Sequence, residues 1–204
     1  MKRLWYFADP MCSWCWGFAP VIGAIEAAYH GRLELEVVMG GLRPGTTAPV
    51  TPSFRAEILH HWHEVERLTG QSFQFDGALP DGFVYDTEPP SRAVIVLGAL
   101  RPELKFPYLK SIQSAFYTAQ QDVTRAQTLS SLAVGQGISA AEFLAMFESP
   151  AARQATASQF QQTAQIGIRG FPTVVLQDDA GSVLLTSGYR PLPELTPRID
   201  AWLD

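Results

Sequence analysis

A chain of 204 residues with 47% hydrophobic and 17% charged residues and a formal net charge of -5 has an ordinary globular make-up and can bury a substantial core. Its 15 basic residues form no run and are not interleaved with aromatic side chains, which argues against a nucleic-acid partner. No stretch approaches the roughly 20 apolar residues that a membrane span needs.

Met1-Lys2-Arg3 has the charge of a leader peptide, but Asp9 cuts short the apolar run behind it and no small-residue cleavage site follows. The expectation is a cytoplasmic protein. Leu4-Trp5-Tyr6-Phe7-Ala8 reads as a buried strand, and Asp9-Pro10 breaks it. The only two cysteines follow at once, in Pro10-Met11-Cys12-Ser13-Trp14-Cys15-Trp16-Gly17. Val21, Ile22, Ile25 and Tyr29 then recur at helical spacing, with Gly31 as a stop. The pair therefore sits at a strand-to-helix junction, where free backbone N–H groups and the positive end of the helix dipole favour a thiolate. This makes Cys12 the nucleophile and Cys15, one turn deeper, the resolving thiol.

Leu33 to Met39 reads as a second strand, parallel to the first across the helix. From about Thr51 to Gly167 the pattern is helical throughout. Thr51-Pro52 opens a helix that Gly70 ends, Ala93 to Leu100 is apolar nearly all round, and Phe106 to Phe116 marks another face. Leu129 and Leu132 mark a further helix, Ser139 to Glu142 has the capping-box pattern, and Ser149-Pro150 opens a last inserted helix. Strand character returns at Thr173 to Leu176 and Ser182 to Thr186, a hairpin across about five turn residues, before a final helix from about Leu192 to Leu203.

Three readings compete for the cysteines. Unreactive core thiols are the plainest, since free Cys is among the most buried residue types. A zinc site would recruit His60, His61 or His63, but their spacing does not suit a structural site, and Glu64 and Glu66 mark that segment as a solvated helix face. In a reducing compartment a lone Cys-x-x-Cys favours the third reading, redox catalysis. Trp14 is a candidate apolar lip of the site and Trp16 a core residue. Asp9 is read as a strand stop, with proton transfer to Cys15 as its catalytic alternative. The polar run Tyr85 to Arg92 reads as helix capping, with Arg92 or a neighbour lining a groove as the alternative. Arg169 is either a surface loop residue or a charge raising the potential near Cys12.

The order strand, Cys-x-x-Cys helix, strand, helical block, hairpin and helix, together with Asp9 to Phe18 and Gly170-Phe171-Pro172-Thr173, resembles the DsbA-like branch of the thioredoxin superfamily, closest to its cytoplasmic FrnE-like members. The resemblance implies an α/β thioredoxin fold with a large helical insertion: residues 1–50 and 165–204 form a discontinuous thioredoxin-like domain and 51–164 the inserted helical domain. It also implies a cis bond before Pro172, which packs against the redox pair, and a backbone at Phe171 turned toward an extended substrate. Cys12 and Cys15 are then catalytic, while Ser13, Trp14, Phe171 and Pro172 contact substrate. Periplasmic relatives carry Pro-His between the cysteines. Ser13-Trp14 supplies no such charge, so a reductase or isomerase is expected rather than a strong oxidant. Those relatives also carry a buried acid where this chain has Tyr6. The implied function is thiol–disulfide exchange with protein or small-thiol substrates and no metal or organic cofactor, glutathione being the co-substrate left open. Glutathione-dependent 2-hydroxychromene-2-carboxylate isomerases and kappa-class transferases resemble the same fold, but they generally have Ser where Cys12 stands.

Overall fold

The computed structural model describes residues 2–204. A four-stranded sheet runs in the order β2 (Glu34–Met39), β1 (Arg3–Ala8), β3 (Thr173–Asp178), β4 (Gly181–Ser187). β1 and β2 are parallel; β3 is antiparallel to both β1 and β4. Alternation puts Leu4, Tyr6, Val37, Val174 and Leu176 on the buried face, each at most 3% exposed. The hairpin is tighter than the sequence suggests. Asp178 pairs with Gly181, leaving a two-residue turn, because Asp178 Oδ1 accepts the N–H of Ala180 and of Gly181 and so draws its flanks into the ladder.

Helix α1 (Ser13–Ala28) connects β1 to β2, and α8 (Leu192–Leu203) follows β4 and packs beside α1. Between β2 and β3 lie α2 (Pro52–Thr69), α3 (Glu88–Leu100), α4 (Lys105–Tyr117), α5 (Ala126–Gly135), α6 (Ala140–Phe147) and α7 (Pro150–Gln165). Three of their starts are fixed by caps visible in the sequence: Thr51, Ser139 and Ser149 accept the N–H of Phe54, Glu142 and Ala152. α3 is the hub of this block, touching α4, α5, α6 and α7. It begins at Glu88, inside the polar run, since Pro89 and Pro90 sit in its first turn where their missing N–H groups cost nothing.

Arg92 has the structural role, not the groove-lining one. It is 4% exposed, donates to Phe147 O at 2.7 Å and Glu88 Oε2 at 3.2 Å, and lies 4.0 Å over the Phe147 ring, tying α3 to α6.

Two contacts lock the helical block onto α1. Gly17 allows α2 to come so close that a Cβ there would stand 2.7 Å from Val65 Cγ1 and 2.9 Å from Thr69 Cγ2. Pro20 lies inside α1 and has no N–H to give the Trp16 carbonyl one turn back. Gln71, just beyond α2, donates its Nε2 to that carbonyl at 3.0 Å. A proline that would otherwise leave a carbonyl unpaired becomes the docking point of the insertion.

Candidate active site

Cys12 is the N-cap of α1, with extended backbone (φ -87°, ψ 114°), and its N–H donates to Asp9 O at 3.2 Å. The Asp9-Pro10-Met11 turn is held by the Asp9 carboxylate, whose Oδ1 accepts the N–H of Met11 at 2.9 Å. The chain thus leaves β1, turns once and enters α1 with Cys12 at its mouth. Ser13 and Trp14 form the first turn and are half-buried; the Trp14 ring faces Tyr189, with centroids 6.3 Å apart. Cys15 lies one turn below.

Both thiols are free, and they are unequal. Cys12 is 6% exposed and its Sγ–H points to Phe171 O at 3.5 Å; Cys15 is 0% exposed. Burial pushes the Cys15 thiol well up, with neighbouring Cys12 adding to the effect; the Asp9 backbone N–H pulls the other way. The Phe171–Pro172 peptide is cis, as the family resemblance implies. It places the Phe171 carbonyl beside Cys12, and Pro172 O accepts Gly188 N–H at 2.7 Å. The Phe171 ring lies across the bare Cα of Gly40, where a Cβ would meet two ring carbons at 2.0 Å.

The groove beside Phe171 measures about 430 Å³ and is lined by Gly40, Gly41, Leu42, Phe160, Arg169 and Phe171, among others. Gly40→Ala is therefore expected to expel the Phe171 ring and lower kcat/KM for a peptide disulfide by about tenfold, roughly 1.4 kcal/mol, with the circular-dichroism spectrum unchanged. Unchanged kinetics in a folded variant would remove Phe171 from the substrate path.

Asp9 is more than a strand stop. Its side chain is fully buried, and besides Met11 it takes the N–H of Leu42, on Oδ2 at 2.8 Å. Burial raises its carboxyl to about 6, against the pull of the Leu42 and Met11 amides and the Thr87 hydroxyl. Three buried tyrosines complete the surroundings. Tyr6 donates to Cys15 O at 3.4 Å, Tyr85 to Met11 O, and Tyr117 stands beside Tyr85 and stacks on the Trp16 ring at 6.1 Å. Trp16 is half-buried rather than core, and its Nε1 donates to Ser72 O at 3.1 Å. Sequence reasoning missed Tyr85 and Tyr117, which come from the helical block and carry no local signal of their destination.

The remaining candidates lie elsewhere. His60, His61 and His63 are exposed on α2; His63 stacks on Phe75 at 3.9 Å, and His61 Nδ1 is 3.8 Å from Glu64. Arg169 is exposed at the groove. No helix among the described residues is long and apolar enough to cross a membrane.

A thioredoxin-type sheet, a helical insertion between β2 and β3, and a Cys-x-x-Cys at the start of α1 facing a cis-proline loop define a DsbA-like architecture. The model of the family described as DSBA-like thioredoxin domain matches residues 3–199, and the chain belongs to that family. It is similar to a proposed protein disulfide isomerase from Nitrosomonas europaea, at 48% identity over 99% of this chain and 97% of that one, with a TM-score of 0.94. The cytosolic disulfide reductase DsbM from Pseudomonas aeruginosa is 30% identical, over 98% and 95% of the two chains, with a TM-score of 0.77. A ClpXP adapter protein SpxH from Halalkalibacterium halodurans is 24% identical over 87% of this chain and 59% of its own length. The chain thus spans about three fifths of that curated relative.

Proposed function

We propose that the protein is a cytoplasmic thiol–disulfide oxidoreductase of reducing or isomerising bent, acting on protein or small-thiol disulfides. The observation that carries this reading is the inequality of the two thiols: Cys12 at the mouth of α1 against the Phe171 carbonyl, Cys15 sealed beneath it. The Cys12 thiolate attacks one sulfur of a substrate disulfide, and the other sulfur leaves as a thiolate. Asp9 takes the proton of Cys15, whose sulfur then attacks Cys12 Sγ, releasing the second substrate thiolate and closing the Cys12–Cys15 disulfide. Two molecules of glutathione restore the dithiol and leave as glutathione disulfide. Support for the reducing direction comes from the uncharged Ser13-Trp14 pair and from the likeness to a protein named as a cytosolic disulfide reductase, which has also been crystallised with GSH.

Equilibration with glutathione redox buffers, read by thiol alkylation, tests this. The expected midpoint lies at about -200 to -270 mV, the range of glutaredoxins and thioredoxin, with insulin reduced by the dithiol form. A midpoint near about -120 mV, the value of a strong oxidant, would overturn the reducing assignment.

A further inference from the structure

The sequence holds three lysines, and one of them sits in an unusual setting. Lys2 Nζ donates to Leu203 O at 2.6 Å, and Lys110 is exposed with its Nζ 4.7 Å over the Phe106 ring. Lys105 is the first residue of α4, at the positive end of that helix dipole, where a cation is disfavoured. Its stem lies on the bare backbone of Gly98 in α3: a Cβ there would stand 2.7 Å from Lys105 Cδ and 2.8 Å from Cγ. Among the described residues its Nζ has no hydrogen-bond or ion-pair partner.

Lys105 borders the cavity of about 750 Å³ at the end of the sheet remote from Cys12. Charged and titratable groups reach this cavity from each element around it: Glu26 from α1, His30 and Arg32 from the following turn, Glu34 and Glu36 from β2, Glu103 from the turn before α4, and Lys2 from the N-terminus. Glu34 is already paired with Arg3 at 3.1 Å. Burial holds the Lys105 amine below the ordinary lysine range, and Glu36 offsets this only in part.

We infer that Lys105 is a nucleophilic amine that accepts an acyl group from a small activated acyl donor, an acyl phosphate or an acyl thioester. The neutral Nζ forms an amide bond to the acyl carbon. The bond from that carbon to the phosphate oxygen or thioester sulfur breaks, its electron pair leaving with that atom, and the amine proton passes to the leaving group; nothing is oxidised or reduced. The product is uncharged, which suits a helix N-terminus better than the ammonium does. This chemistry is independent of the thiol pair.

Incubating the full chain, with its cysteines oxidised beforehand, at pH 7.5 with acetyl phosphate in one arm and an N-acetylcysteamine acetyl thioester in the other tests the inference. Peptide mass spectrometry follows acetylation at each lysine. Lys105 is expected to react at least about threefold faster than Lys110. Gly98→Ala, which displaces the stem, is expected to bring Lys105 down to the rate of Lys110 while leaving insulin reduction by the dithiol form unchanged. A lead in only one arm supports the inference and identifies the donor. A Lys105 rate at or below that of Lys110 in both arms, or a lead that survives Gly98→Ala, would overturn it.

Discussion

Cys15→Ser is expected to stop turnover while leaving the first attack intact, so that the protein accumulates as a mixed disulfide through Cys12. The structure gives the reason for this asymmetry. Cys12 alone meets solvent, and burial pushes the Cys15 thiol well up, so that Cys15 contributes little as a first nucleophile. Cys12→Ser should lose insulin reduction by at least about a thousandfold, because a serine hydroxyl is scarcely ionised at neutral pH. Cys15→Ser should lose steady-state turnover to a similar degree, yet bind one equivalent of substrate thiol, released by dithiothreitol and visible as added mass. Turnover by Cys15→Ser at the rate of the unaltered protein would remove Cys15 from the reaction. A Cys12→Ser variant that kept its activity would favour a glutathione-dependent isomerase instead.

Much of this site is legible in the sequence because its signals are local. An aromatic strand, Asp9-Pro10 and a helical period after Cys15 fix the junction; the opposing loop at Gly170 to Thr173 is implied only by the family resemblance. The helix starts at Thr51, Ser139 and Ser149 are equally local, since a cap lies within three residues of the amide it satisfies. What sequence does not reveal is the long-range satisfaction of polar groups. Nothing near Pro20 shows that Gln71 serves the Trp16 carbonyl, and nothing near Tyr85 shows that it reaches Met11. The polar run before α3 stays ambiguous for the same reason: capping and groove lining both suit Arg92 until Phe147 arrives from α6. Asp9 combines both cases, with one carboxylate oxygen bound to Met11 two residues away and the other to Leu42 beyond β2.

That double attachment makes Asp9→Asn the most informative remaining variant, because its effects on stability and on rate have opposite signs. The folded carboxyl titrates at about 6 rather than 3.8, so the folded state binds a proton more tightly than the unfolded one. Stability conferred by this group is therefore complete below about pH 4 and declines as the pH rises through about 6, a penalty of order 3 kcal/mol once the folded carboxylate is ionised. Asn removes the charge but has only one acceptor oxygen for two amides, which returns about 1 kcal/mol. Asp9→Asn should therefore stabilise the protein at pH 7.5 by about 1 to 2 kcal/mol and confer no gain near pH 4, measured by urea denaturation at both values. The rate of mixed-disulfide resolution should fall by about a hundredfold and lose its rise near pH 6, since Cys15 must then surrender its proton without a nearby carboxylate. A variant that is more stable yet resolves at the unaltered rate would confine Asp9 to holding the turn, and a variant with the pH dependence intact would place the titrating group elsewhere.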